Sequence, residues 1–206
     1  MNKLAELFNA AVSPADYVKA YCKRLAEVLE RLDAERTAQV IAAIERVAEE
    51  DKTLFLIANG GSAATASHWV NDLCPNTYVE GKKPYRVMCL TDNVASVTAI
   101  ANDASYDDIF AYQLRVNMRP GDTVLALSVS GNSENVVRGV EYANAHGAFT
   151  IGFSGFEGGR LAKTAKLSLH VPTTRDEYGP VEDMFTILCH VIVGYISMKR
   201  GRLLSH

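Results

Sequence analysis

Five short apolar runs, at 53–57, 86–90, 123–128, 149–153 and 167–171, alternate with helix-spaced segments near 62–74, 93–101, 107–116, 134–146 and 158–165. Parallel strands cannot be joined by tight turns and need a crossover, usually a helix. Strands that are apolar throughout are buried on both faces. The alternation therefore predicts an α/β fold, a parallel sheet covered by helices on both faces. The first fifty residues read as helix: Tyr17, Tyr21, Leu25, Val28, Leu29 and Leu32, then Val40, Ile41, Ile44 and Val47, recur at helical spacing. Ser13-Pro14 marks a helix entry, Gly147 a helix end, and Pro180 the start of a last helix over 180–199. No internal repeat or low-complexity linker divides the chain. It reads as one domain over 1–206, with N-terminal helices over 1–50 and an α/β core over 51–206. Whether the N-terminal apolar stripe faces the chain's own core or a helical seam with a second copy is left open.

Two of the strand-to-helix turns are rich in glycine and serine. Asn59-Gly60-Gly61-Ser62 follows the first run, and Ser128-Val129-Ser130-Gly131-Asn132-Ser133 follows the third. Such turns leave free N–H groups at the positive end of a helix dipole, which suits a phosphate. The hydroxyls of Ser62, Ser128, Ser130 and Ser133 add donors. Neither loop matches GxxxxGKS/T or the GxGxxG spacing, so the common nucleotide signatures are absent. The ligand this implies is a small phosphorylated molecule. Both loops fall at the carboxyl ends of strands, where α/β sheets bind ligands.

His68 and Asp72, four apart, share a helix face. Glu182 and His190, eight apart, lie about 80° from each other on the final helix. Two imidazoles and two carboxylates suit a divalent metal, with Zn²⁺ the first choice. The bland alternative is a core histidine and solvated helix charges. Asp92 and Asp103, with its neighbour Asn102, are candidates to bond sugar hydroxyls, or else cap and turn residues.

The net charge of −3 and the lack of a long Lys/Arg cluster argue against a nucleic-acid binder. Glu6 interrupts any secretory apolar core in Met1-Asn2-Lys3-Leu4-Ala5-Glu6, and no uninterrupted apolar stretch is long enough to span a bilayer. The four cysteines, Cys22, Cys74, Cys89 and Cys189, are scattered, and most of them read as small packed hydrophobes. A reduced, cytoplasmic setting is the expectation, with no membrane partner.

Taken in order, the chain resembles a known family. Ala58-Asn59-Gly60-Gly61-Ser62, His68, Leu90-Thr91-Asp92, Asn102-Asp103 with Tyr106 and Phe110, the Ser-x-Ser-Gly-Asn-Ser loop from Ser128, and His190 on a late helix are similar to the sugar isomerase (SIS) domain. Within it they resemble the phosphoheptose isomerases. The resemblance covers nearly the whole chain. It implies a five-stranded parallel sheet flanked by helices, a flavodoxin-like three-layer sandwich, and a homotetramer with active sites between subunits. It implies isomerisation of sedoheptulose 7-phosphate to D-glycero-D-manno-heptose 7-phosphate. Asn59, Gly60, Gly61, Ser62, Ser128, Ser130 and Ser133 would hold the phosphate, and Asp92, Asn102 and Asp103 the sugar. His68, Asp72, Glu182 and His190 map onto the metal and catalytic positions, with Asp72 or Glu182 as base and His190 as acid. The chain departs from the family pattern at Asp72 (usually Glu), Glu182 (usually Gln), Gly179 (usually Asp), Val129 (usually Thr) and Ala63 (usually His). Those departures keep open an isomerase of a different phosphosugar, and a non-catalytic SIS tetramer that binds a protein partner or senses a sugar phosphate.

Overall fold

The computed structural model of the chain describes residues 3–175 and 177–202; Met1 and Asn2, part of the segment read as leader-free, lie outside them. Three helices come first: α1 (Lys3–Ala10), α2 (Pro14–Leu29) and α3 (Ala34–Glu49). Ser13 caps α2 by accepting a hydrogen bond from the Asp16 N–H, and Pro14 fills the first helical position, where a missing N–H costs nothing. The core follows as β1 (Thr53–Ala58), α4 (Gly60–Leu73), β2 (Arg86–Cys89), α5 (Val94–Asp103), α6 (Ile109–Asn117), β3 (Thr123–Ser128), α7 (Glu134–Ala145), β4 (Phe149–Ser154), α8 (Leu161–Thr164), β5 (Leu167–His170) and α9 (Tyr178–Lys199). A short 3₁₀ turn, Tyr106–Asp108, precedes α6.

All four strand pairings are parallel, and the order is β2-β1-β3-β4-β5. This is the sheet the alternation predicts and the five-stranded arrangement the resemblance implies. Alternate residues of each strand serve opposite layers. Leu54 and Leu56 of β1 join Trp69, Phe153, Phe185 and Leu188 beneath α3, α4 and α9. Phe55 and Ile57 join Phe110, Leu114, Val136 and Val140 beneath α6 and α7. The order reverses between β1 and β3, so the two turns that leave these strands open side by side at the topological switch point.

The N-terminal stripe packs within the chain. Leu25, Leu29 and Leu32 lie against the main core, and the Tyr21 hydroxyl donates to Asp183 of α9 at 2.6 Å. By length and composition α9 is the one described helix able to cross a bilayer, but half of its most apolar window is buried in the domain. It also carries Glu182, Asp183 and His190.

Candidate active site

Two walls of a cavity come from the switch-point turns. Asn59, Gly60, Gly61 and Ser62 of the β1–α4 turn face Ser128, Val129, Ser130 and Ser133 of the β3–α7 turn. Tyr178 and Glu182 of α9 form the third wall of this space of about 280 Å³. Gly131 is in the left-handed region (φ +65°), and a Cβ there would lie 2.0 Å from the Gly158 carbonyl oxygen, so only glycine fits. This tight packing holds the serine loop in shape. Ser128 Oγ accepts from the Gly131 N–H at 3.2 Å and lies 3.2 Å from Ser133 Oγ. Ser130 Oγ accepts from the Asn132 N–H, also at 3.2 Å.

Helices α4 and α9 pack side by side and run in the same direction. Gly61 meets Glu182, Thr65 Oγ1 lies 3.4 Å from Thr186 Oγ1, and His68 Nε2 lies 2.9 Å from His190 Nε2. His68 sits about two turns, roughly 12 Å, along α4 from Gly60. The cluster therefore lies down the flank of the sheet, away from its carboxyl end. Asp72 Oδ2 stands 3.1 Å from His68 Nε2 and 3.8 Å from His190 Nε2. Asn71 and Asn76 both donate to Asp72 Oδ1, at 3.1 and 3.3 Å, so this carboxylate is held in place from two sides. The two imidazoles remain about half exposed, whereas the Asp72 side chain is 13% exposed.

The structure sets Glu182 apart from the other three residues of the four-ligand set. The carboxylate of Glu182 lies over Gly61, where an added Cβ would meet Oε1 at 2.4 Å. Sharing a broad face of α9 with His190 did not bring it to the same height, because eight residues span about 12 Å of helix. Among the described residues, a group that could hold a metal ion is His68, Asp72 and Cys189, with His190 beside it. Cys189 Sγ is 4.0 Å from Asp72 Oδ2, and burial followed by the Asp72 charge pushes its thiol well above the usual range. Cys189 was expected only to pack, which its burial supports. A tetrahedral ion with bonds of about 2.0–2.1 Å separates its ligand atoms by roughly 3.3 Å. The separations among His68, Asp72 and His190 bracket that value, so these residues fit a divalent ion.

The remaining candidates are dispersed. Asp92 accepts from Ser67 Oγ of α4 at 2.8 Å. Asn102 donates to Asp103 at 2.8 Å; this exposed pair at the end of α5 does not line the serine cavity. Sequence reasoning missed the anchor beneath α9. Arg24 of α2 donates to Glu177 through Nε at 2.7 Å and Nη2 at 3.0 Å, and Glu177 also accepts from the Thr174 N–H and hydroxyl. The Glu177 side chain is fully buried. Burial alone would raise its pKa, but Arg24 and Thr174 outweigh that effect and hold the carboxyl below the usual range. Nothing in the local pattern around Arg24 signals a partner so distant in sequence.

Comparison with known proteins follows the same lines. The SIS domain family model matches residues 20–155. The probable phosphoheptose isomerase of Thermoplasma acidophilum is 35% identical over 181 residues, which cover 88% of this chain and 98% of that protein. The phosphoheptose isomerase of Rhodospirillum rubrum is 33% identical over 183 residues, covering 88% and 96%. The structure of phosphoheptose isomerase GmhA from Neisseria gonorrhoeae aligns with a TM-score of 0.82 at 26% identity, covering 90% of this chain and all of that one.

Proposed function

We infer the function of this chain from the family to which it belongs, the SIS-domain phosphoheptose isomerases: it is an aldose–ketose isomerase of phosphorylated sugars. The substrate that best fits the reading is sedoheptulose 7-phosphate, converted to the aldoheptose 7-phosphate. One observation carries the assignment beyond the family. A pocket rich in hydroxyls and free backbone amides and a His/Asp cluster lie on the same two parallel helices, about two turns apart. That spacing suits a molecule with a phosphate at one end and a carbonyl towards the other.

Isomerisation moves a proton between C1 and C2 through an enediol. Ser128, Ser130 and Ser133 hold the phosphate, with Ser62 and the amides of the β1–α4 turn, and remote binding of this kind positions the reacting carbons. Glu182 faces the serines across the pocket, and no hydrogen bond to its carboxylate is found among the described residues. With no such partner of its own, it is one of the two carboxylates, with Asp72, that can serve as base. Asp72, already engaged by His68, Asn71 and Asn76, orients the imidazoles. His190 moves the proton at the sugar oxygens. A zinc ion held by His68, Asp72 and His190 would polarise the carbonyl oxygen as a Lewis acid. Asp92 is placed to meet sugar hydroxyls from beside α4.

The half-exposed cluster, with Val191, Tyr195 and Met198 exposed on the same helix, supports a homotetramer in which a second copy covers this flank. A non-catalytic role is not favoured, because the relatives that span most of the chain are named as isomerases. A coupled assay on phosphosugars of five, six and seven carbons tests the assignment. Turnover is expected on the seven-carbon ketose; turnover confined to a shorter sugar would move the chain to another substrate.

A further inference from the structure

Asn59 stands at the N-cap position of α4 with extended backbone angles (φ −118°, ψ 157°), yet its side chain caps nothing. Asparagine is among the best capping residues, and forgoing a cap costs about 1 kcal/mol. Its amide is instead turned sideways onto Asn135, in the first turn of α7. Asn59 Nδ2 donates to Asn135 Oδ1 at 2.8 Å, and Asn135 Nδ2 donates back to Asn59 Oδ1 at 3.0 Å. Asn135 Oδ1 also accepts from the Val136 N–H at 2.9 Å, and Tyr106 donates its hydroxyl to Asn59 Oδ1 at 3.1 Å. Asn135 is 2% exposed, and both polar atoms of its amide are engaged. Ser133, the N-cap of α7, likewise caps nothing, and its hydroxyl lies beside that of Ser128. At both helix starts that line the serine pocket the N-cap side chain therefore caps nothing, although the Val136 N–H of α7 is taken by Asn135, and one partly buried amide pair ties the two starts together.

We propose that Asn135 is a positioning residue for the phosphate of the substrate: it draws Asn59 away from the start of α4 and leaves those amides free for an anion. The proposal rests on the reading that this pocket holds phosphate. In Asn135→Ala the freed Asn59 side chain swings back to cap α4 and competes with the anion. A cap of ordinary strength then weakens phosphate binding about fivefold to tenfold.

The test is calorimetric binding of inorganic phosphate, with KM and kcat for sedoheptulose 7-phosphate. In Asn135→Ala the phosphate Kd and the KM should rise together by that factor while kcat stays within about twofold. Adding Asn59→Gly, which removes the competing cap, should recover phosphate binding. An unchanged Kd in Asn135→Ala, with or without a lower melting temperature, overturns the proposal, as does a double variant with no recovery. Should Asn135→Ala not fold, Asn135→Leu keeps about the same size, removes both hydrogen bonds to Asn59 and adds no charge; it must show the same rise, and an unchanged Kd sinks the idea. Ser130→Ala separates this from the underlying reading. If that variant weakens phosphate binding and Asn135→Ala does not, only the positioning role fails; if the unaltered protein binds no phosphate, both fail.

Discussion

At its start, α4 lends backbone to the serine pocket; two turns on, it lends side chains to the imidazole cluster, and the two regions are held by different means. The pocket is made of two turns at the switch point, shaped by the close approach of Gly131 to Gly158 and by the Asn59–Asn135 pair. Its third wall depends on the buried Arg24–Glu177 pair beneath the start of α9. The cluster is set by the register of α4 against α9, through buried Trp69, Phe185, Leu188 and Ile192. Glu182 apart, a site divided in this way separates phosphate binding from proton chemistry, and the two halves should respond to different substitutions.

The largest effect is expected in the cluster. His190→Ala should lower kcat by about 10²–10⁴, the usual worth of a placed acid or base, with phosphate affinity unchanged. Chelation should act in the same sense, with zinc restoring activity. An equal loss of phosphate affinity in either case would erase the distinction between the halves.

Glu177→Gln strikes the support of the pocket. It leaves the Arg24 guanidinium buried beside a neutral amide, and breaking such a pair costs about 3–5 kcal/mol. In a domain of this size that lowers Tm by on the order of 10 °C. A melting temperature unchanged within error would show that the pair is not a principal anchor of α9.

Ser130→Ala isolates the pocket from the other side. Losing one hydrogen bond to a charged phosphate, about 1.5–3 kcal/mol, should raise KM roughly tenfold to a hundredfold while kcat and stability hold. Unchanged affinity would remove Ser130 from the pocket.

The smallest effect is in the pH dependence of stability. The Glu177 carboxyl is held below its unfolded value, so its contribution is complete above about pH 4.3 and is lost as pH falls through its lower folded value. Acid melts of the parent chain should show that decline, and Glu177→Gln should flatten it. An identical acid limb in both proteins would rule out this source.

The same division governs what the sequence could tell. The strands and both loops were legible because each is a local pattern: an apolar run, then glycine and serine, then a helix. The cluster was not, because His68 and His190 lie 122 residues apart and meet only through helix register. Helix spacing and the family resemblance each put Glu182 together with His68, Asp72 and His190, because neither an angular relation on α9 nor a motif match says which turn of α4 lies opposite. Asn135 gave no signal, since a buried asparagine in a first helical turn looks like any other polar residue. Tyr21 read equally as a seam or as packing until its hydroxyl was found on Asp183.

The central claim is that this chain moves a proton between C1 and C2 of a seven-carbon ketose phosphate. Incubating the purified, zinc-supplemented protein with sedoheptulose 7-phosphate in deuterated water, with NMR detection, tests it directly. The account predicts an aldoheptose 7-phosphate carrying deuterium at C2, formed by the parent chain and abolished in His190→Ala. A folded protein that yields no aldose, and exchanges no hydrogen into the ketose, would contradict it.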